Sequence, residues 1–171
     1  KDPSFEATVT VNIDGEDFAI KRPVQYRYID PVKGDTYQPI PVLPKIELNY
    51  TQDNFISMNG APVKATMHLK SNSNDDKEYK VAQEYSTNWS NDYPSFTYNS
   101  KDAEIYKTGI FTSKSNETNT TEQIDLKTAD GKYDGYTKVI AYNHIPTITY
   151  FPRAQANLVK LNIKIIGKKI G

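Results

Sequence analysis

Two histidines are the residues of this chain best suited to acid–base or metal chemistry, and they lie far apart in the sequence. His144 lies two residues before Pro146, whose ring restricts the preceding backbone to extended conformations. His68 belongs to a different predicted strand, so a metal site would need both histidines to meet beside a carboxylate such as Asp102 or Asp125. We interpret His144 and Pro146 as a structural corner, and we expect no metal site and no cofactor.

Acidic loops are the second place where chemistry could arise. Asp75-Asp76 and the stretch 130–135 resemble parts of a calcium-binding loop, but both lack the distal glutamate that completes such a loop. The chain has no cysteine, no Gly-x-Ser-x-Gly turn for a serine nucleophile and no His-Glu-x-x-His zinc motif. We therefore predict solvated turns at these loops and a protein that is not an enzyme.

A group of aromatic residues in a polar context is open to two interpretations. Trp89, Tyr93 and Tyr98 stand among asparagines, serines and an aspartate. Exposed rings in such surroundings stack on sugars while the amides bind hydroxyl groups, which indicates a carbohydrate-binding site. Alternatively, Trp89 fills the core of a β-sandwich.

Composition limits the class of protein and its partners. The 171 residues include 21 basic and 21 acidic side chains, so no net charge attracts nucleic acid. No apolar run approaches the roughly 18 residues of a membrane span. The 13 tyrosines, with many threonines and valines, favour strands over helices. We expect an all-β protein. The composition does not fix its compartment, and we expect a secreted or periplasmic location.

The first 38 residues predict a β-hairpin. Apolar and polar residues alternate over 5–13, which is the period of a strand with one buried face. Asp14-Gly15 then gives the typical sequence of a two-residue hairpin turn, and a return strand follows over 17–29. This hairpin is either the end of a preceding domain or an addition to the domain that follows.

The rest of the chain predicts an immunoglobulin-like antiparallel β-sandwich over residues 45–166. Three prolines between positions 39 and 44 indicate a stiff linker before it. Short alternating strands and turn sequences recur at the spacing typical of such sandwiches. The last two predicted strands cover 136–142 and 156–166, with the His144 corner between them.

Two segments carry a resemblance to a known family. Residues 24–39 contain Tyr-Arg-Tyr-Ile-Asp-Pro-Val-Lys-Gly-Asp, and residues 142–156 read Tyr-Asn-His-Ile-Pro-Thr-Ile-Thr-Tyr-Phe-Pro-Arg-Ala-Gln-Ala. Both resemble elements found downstream of the catalytic domain in multidomain bacterial PIG-L/LmbE-type (GlcNAc de-N-acetylase-like) proteins. The resemblance implies that residues 167–171 are the truncated start of a following domain.

The resemblance implies a function without catalysis. The family's zinc-binding Ala-His-Pro-Asp-Asp run has no counterpart in this chain, so no catalytic residue carries over. It implies an accessory or spacer domain of a bacterial sugar N-deacetylase, which orders neighbouring domains of the same polypeptide. The alternative is a carbohydrate-binding module whose partner is a saccharide.

Overall fold

The chain is built from strands, as the composition predicts. The computed structural model describes residues 3–142, 145 and 147–163, and the regular elements among them are all β-strands. These residues form two compact units, Lys1–Leu43 with Val139–Tyr150 (unit 1) and Pro44–Lys138 with Phe151–Gly171 (unit 2). The all-β class is confirmed.

Unit 1 consists of paired strands in three two-stranded sheets. β1 pairs with β2 and β3 with β4, both antiparallel, and β13 pairs with β14. Asp14 and Gly15 form the β1–β2 turn with φ of 53° and 91°, so both turn residues are left-handed as the sequence predicts. The predicted N-terminal hairpin is therefore present, but its return strand ends at Pro23 and does not continue to residue 29. Residues 25–30 instead form β3, which pairs with β4. The strands are β1 (Glu6–Ile13), β2 (Glu16–Pro23), β3 (Gln25–Asp30), β4 (Gly34–Pro39), β13 (Lys138–Ile140) and β14 (Ile148–Tyr150).

Unit 2 contains a five-stranded and a four-stranded sheet. The first has the order β10-β8-β12-β15-β6 and the second the order β5-β7-β11-β9. The pairs are antiparallel, except that β6 runs parallel to β15. The strands are β5 (Ile46–Tyr50), β6 (Asn54–Met58), β7 (Val63–Ser71), β8 (Glu78–Glu84), β9 (Trp89–Asn91), β10 (Ser95–Asn99), β11 (Glu104–Ser113), β12 (Thr120–Thr128) and β15 (Gln155–Leu161).

The core of unit 2 lies between its two sheets, as in a β-sandwich. Ala65, Met67 and Leu69 are buried at every second position of β7, which leaves His68 on the outer face. Buried side chains from both sheets form one cluster. Its largest members are Trp89, Tyr98, Phe111, Ile46, Leu48, Met67, Leu69, Ile124, Leu126 and Leu158.

The chain path differs from the continuous sandwich expected over 45–166. Residues 139–150 belong to unit 1, so the chain leaves unit 2 after Lys138 and returns at Phe151. The predicted strand 136–142 shrinks to β13, which pairs with β14 and with no strand of the sandwich that the structure describes. The predicted corner at His144 and Pro146 lies outside the described residues.

The two ends of this excursion lie side by side within unit 2. Gly135 and Arg153 form an antiparallel bridge, and the Tyr136 amide donates to the Pro152 carbonyl at 3.1 Å. The Leu48 amide of β5 donates to the Gly135 carbonyl at 2.9 Å. Backbone hydrogen bonds therefore hold this junction to the edge of the four-stranded sheet.

Candidate functional site

A polar cluster on the outer face of the four-stranded sheet surrounds His68. The strand register places Asn49 of β5 on one side of His68 and Tyr106 of β11 on the other. His68 Nε2 lies 2.6 Å from Glu104 Oε1, and Nδ1 lies 3.0 Å from Asn49 Oδ1. Both ring nitrogens are therefore engaged, which fixes the orientation of the imidazole.

Tyr106 is the exposed part of this cluster. Its ring stacks on the His68 ring with centroids 4.7 Å apart and planes at 16°, and it remains 60% exposed. The Tyr106 hydroxyl donates to Glu104 Oε1 at 3.1 Å. The hydrogen bond from His68 lowers the pKa of Glu104, and the bond to Glu104 raises the pKa of Tyr106. An exposed aromatic ring is thus held in one position beside an ionised carboxylate.

The same face of the sheet also carries hydroxyl groups. The hydroxyls of Thr66 and Thr108 lie along this face and bond to each other at 3.0 Å. Across the described ranges there is no group of three or more His, Cys, Asp or Glu residues that could hold a metal ion. The cluster presents a ring, a carboxylate and hydroxyls to solvent.

The aromatic platform predicted from Trp89, Tyr93 and Tyr98 is not formed. Trp89 and Tyr98 are each 1% exposed, and the Tyr98 hydroxyl donates to the Asp102 carbonyl at 2.6 Å. Tyr93 is half-buried and stacks on Phe96 with centroids 5.2 Å apart. The prediction of exposed rings was wrong for Trp89 and Tyr98, because alternation along β9 and β10 turns both rings into the core. The alternative reading of Trp89 as a core residue is confirmed.

The carboxylates of the two acidic loops bond to neighbouring donors. Asp75 Oδ2 lies 3.2 Å from Lys45 Nζ, and Asp75 Oδ1 accepts a 3.0 Å hydrogen bond from Ser100 Oγ. Asp130 Oδ1 accepts hydrogen bonds from Thr128 Oγ1 at 2.6 Å and the Lys132 amide at 3.1 Å. These carboxylates are used to close loops.

Glu47 is a buried carboxylate that the sequence pattern did not single out. It is 7% exposed on β5, and its partners are neutral donors. Oε1 accepts from Thr137 Oγ1 at 2.8 Å and Asn72 Nδ2 at 2.6 Å, and Oε2 accepts from the Thr137 amide at 3.1 Å. Its role is structural, since it joins β5 to two loops. Glu47 lies between Ile46 and Leu48 in β5, where alternation predicts an exposed side chain, so no local pattern indicated its burial.

Unit 1 has an exposed apolar surface. One face of the β1–β2 hairpin carries five large apolar side chains that are each 39–56% exposed, namely Val9, Val11, Ile13, Phe18 and Ile20. A groove of about 780 Å³ lies within the same unit and is lined largely by proline and aliphatic residues, including Pro23, Val24, Pro39, Ile40 and Ile148. Exposed apolar surface of this kind marks an interaction site.

The comparisons with known proteins provide no further identification. No model of a known protein family matches the chain, and no curated protein is significantly similar to it. The described residues include no helix with the length and apolar character needed to cross a membrane.

Proposed function

We propose that the chain is a non-catalytic accessory module of a bacterial sugar N-deacetylase-like protein, in which it orders neighbouring domains. The observation that carries this proposal is the exposed apolar face of the β1–β2 hairpin. A two-stranded hairpin is marginally stable alone, because a single ladder buries little apolar surface. A neighbouring domain that covers Val9, Val11 and Phe18 would supply the missing burial, at about 25 cal/mol for each Å² of apolar surface removed from water.

The polar residues of unit 2 support a structural role. Glu47 and Asp75 are held by neighbouring donors in loops, and the His68 imidazole is bonded to Glu104 and Asn49. The resemblance of segments 24–39 and 142–156 to accessory elements of the PIG-L/LmbE-type family points to the same role. The proposal includes the expected secreted or periplasmic location.

We further propose that unit 2 is an immunoglobulin-like sandwich. The support is that two consecutive short strands at the start of the unit join different sheets. β5 pairs antiparallel with β7 in one sheet, while β6 pairs parallel with the last strand, β15, in the other. A divided first strand of this kind is found in many immunoglobulin-like domains, although β9 and β10 follow a less regular path.

A binding experiment tests the docking role. The chain is titrated by calorimetry with the deacetylase-type domain of the same polypeptide, and we expect binding that Phe18→Glu removes. Thr10→Glu places the same charge on the opposite face of the hairpin and should bind normally. Binding that both variants retain, or the release of acetate from an N-acetyl sugar by the isolated chain, would contradict the proposal.

A second candidate function is saccharide binding at Tyr106. The observation that favours it is an exposed ring held by His68 and Glu104, with the Thr108 hydroxyl near it along β11. Sugars stack on such rings while carboxylates and hydroxyls bind their polar groups. A glycan array should then show binding that Tyr106→Ala removes and Tyr93→Ala retains. An array without any signal would exclude this function.

A further inference from the structure

The β1–β2 hairpin leaves the outer edge of β2 unpaired among the strands that the structure describes. Ile13 and Glu16 close the two-residue turn and therefore form a hydrogen-bonded pair, after which bonded and non-bonded pairs alternate. This alternation directs the backbone N–H and C=O groups of Asp17, Ala19 and Lys21 away from β1. An open edge of this kind is a template for another strand.

We propose that two copies of the chain pair through this edge, with β2 antiparallel to β2 about Ala19. The sequence of β2 runs from acidic residues through apolar ones to basic ones, as Glu16-Asp17-Phe18-Ala19-Ile20-Lys21-Arg22. Antiparallel pairing about Ala19 places Asp17 opposite Lys21 of the second copy and Glu16 opposite Arg22. Opposite charges in directly facing positions stabilise a sheet. A two-fold axis at Ala19 relates the two copies, so each of these charge pairs forms twice.

The backbone and the apolar residues fit the same register. The residues with outward backbone groups are Asp17, Ala19 and Lys21. In the register centred on Ala19, Asp17 faces Lys21 of the second copy and Ala19 faces Ala19, so each facing pair forms two backbone hydrogen bonds. Phe18 faces Ile20 on the apolar side, where both side chains are now 47% exposed. The charges, the hydrogen bonds and the apolar contacts therefore select one register.

Existing side-chain bonds are compatible with this pairing. Lys21 Nζ lies 3.4 Å from Glu6 Oε1 in an exposed ion pair, and an ammonium group has further N–H donors. Asp17 Oδ1 accepts from Asn12 Nδ2 at 2.7 Å, which leaves Oδ2 for Lys21 of the second copy.

Alternative edges and registers are weaker. Pro23 occupies the next outward position of β2 and has no N–H, so a slip of two residues that places Asp17 opposite Pro23 loses a hydrogen bond and the charge pairs. Self-pairing of β1 about Thr10 would place Glu6 opposite Asp14, which are like charges. The edge of β2 in the register about Ala19 is therefore preferred.

The result is a four-stranded sheet with the order β1-β2-β2-β1, which makes one continuous apolar face from two copies. The pairing uses the edge of β2 and leaves that face open. It therefore goes beyond the proposed function and does not depend on it.

Sedimentation equilibrium of the 171-residue chain tests the pairing. We expect a reversible dimer with twice the 19.4 kDa mass of the chain. Asp17→Lys and Lys21→Asp should each weaken dimerisation by about tenfold or more, because facing charges become alike. An equimolar mixture of the two variants should form a heterodimer, since every facing pair is then of opposite charge.

Proline substitutions test the backbone pairing. Ala19→Pro removes an outward N–H at the two-fold axis and should abolish dimerisation, whereas Thr10→Pro, at the matched outward position of β1, should leave it unchanged. Circular dichroism checks that both variants keep their strand content. A chain that stays at 19.4 kDa throughout the micromolar range overturns the proposal. The proposal is also overturned if Asp17→Lys and Lys21→Asp do not associate when they are mixed. The same holds if Ala19→Pro and Thr10→Pro weaken the dimer equally.

Discussion

Glu47 and Thr137 are ninety residues apart in sequence and are joined by two hydrogen bonds inside unit 2. Thr137 donates its hydroxyl to Oε1 at 2.8 Å and its amide to Oε2 at 3.1 Å. Asn72 completes the site by donating to Oε1 at 2.6 Å. A buried carboxylate with neutral donors thus anchors the segment from which the chain leaves the sandwich.

Removing this anchor should destabilise the sandwich. Thr137→Val deletes the hydroxyl donor and should lower the free energy of unfolding by about 1–2 kcal/mol. Glu47→Leu leaves both donors of Thr137 without this acceptor, while Asn72 keeps its bond to the Pro44 carbonyl, and it should cost more, about 2–3 kcal/mol. Urea unfolding measures both, with the exposed Thr97→Val of β10 as the control. Equal stabilities of Thr137→Val and Thr97→Val would contradict this role of Glu47.

Gly135 should tolerate no side chain. A Cβ at this position would stand far inside van der Waals contact of the Pro152 carbonyl oxygen, which is backbone and already accepts from Tyr136. Gly135→Ala should therefore lower the free energy of unfolding by about 2–3 kcal/mol. Gly109→Ala is the matched control, because its Cβ would lie 2.8 Å from Asn91 Oδ1, a side-chain atom that can move. If thermal unfolding showed a larger loss of stability for Gly109→Ala than for Gly135→Ala, this explanation of Gly135 would be wrong.

Asp75 should make stability fall at acidic pH. Hydrogen bonding by Ser73, with contributions from Lys45 and Ser100, lowers the pKa of Asp75 from 3.8 to about 2. The folded state thus prefers the ionised form, so this contribution is complete above pH 4, roughly, and is lost as the pH falls toward 2. The unfolding free energy of the native chain should decline more steeply over this range than that of Asp75→Asn. Parallel pH profiles would show that the carboxylate contributes nothing.

Trp89 should matter for stability and not for ligand binding. Trp89→Ala empties a large volume in the core and should cost about 3–5 kcal/mol in urea unfolding. Trp89→Phe should cost clearly less, because the indole Nε1–H has no hydrogen-bond partner among the described residues and its loss breaks no bond. If Trp89→Ala were as stable as the native chain, the assignment of this ring to the core would be wrong.

The period of two along the strands explains which parts of the fold were predictable from sequence. Alternation in β7 correctly placed Met67 inside and His68 outside, and Asp14-Gly15 correctly located the hairpin turn. Such signals depend on residues within a few positions of each other. Alternation places Phe96 and Tyr98 on one face of β10, but it does not say whether that face is buried or exposed. β9 has only three residues, Trp-Ser-Asn, which is too short to show a period.

Features that depend on long-range register were missed for a physical reason. Residues far apart in sequence create the His68–Tyr106 stack and the Glu47–Thr137 bonds, and no local pattern encodes which strand pairs with which. The excursion of residues 139–150 was missed similarly, since β13 has the composition of an ordinary sandwich strand. The bridge between Gly135 and Arg153, which joins the two ends of this excursion, also pairs residues that are far apart in sequence.

Hydrogen exchange of the β1–β2 amides tests the proposed docking role most directly. Exchange is compared between the 171-residue chain and a polypeptide in which the proposed deacetylase-type domain is joined to it, both with Ala19→Pro so that self-pairing does not contribute. A neighbouring domain that covers the apolar face should slow exchange of amides such as those of Val9, Val11 and Phe18 by about tenfold or more. Identical exchange in the two proteins would contradict the claim that this hairpin orders a neighbouring domain.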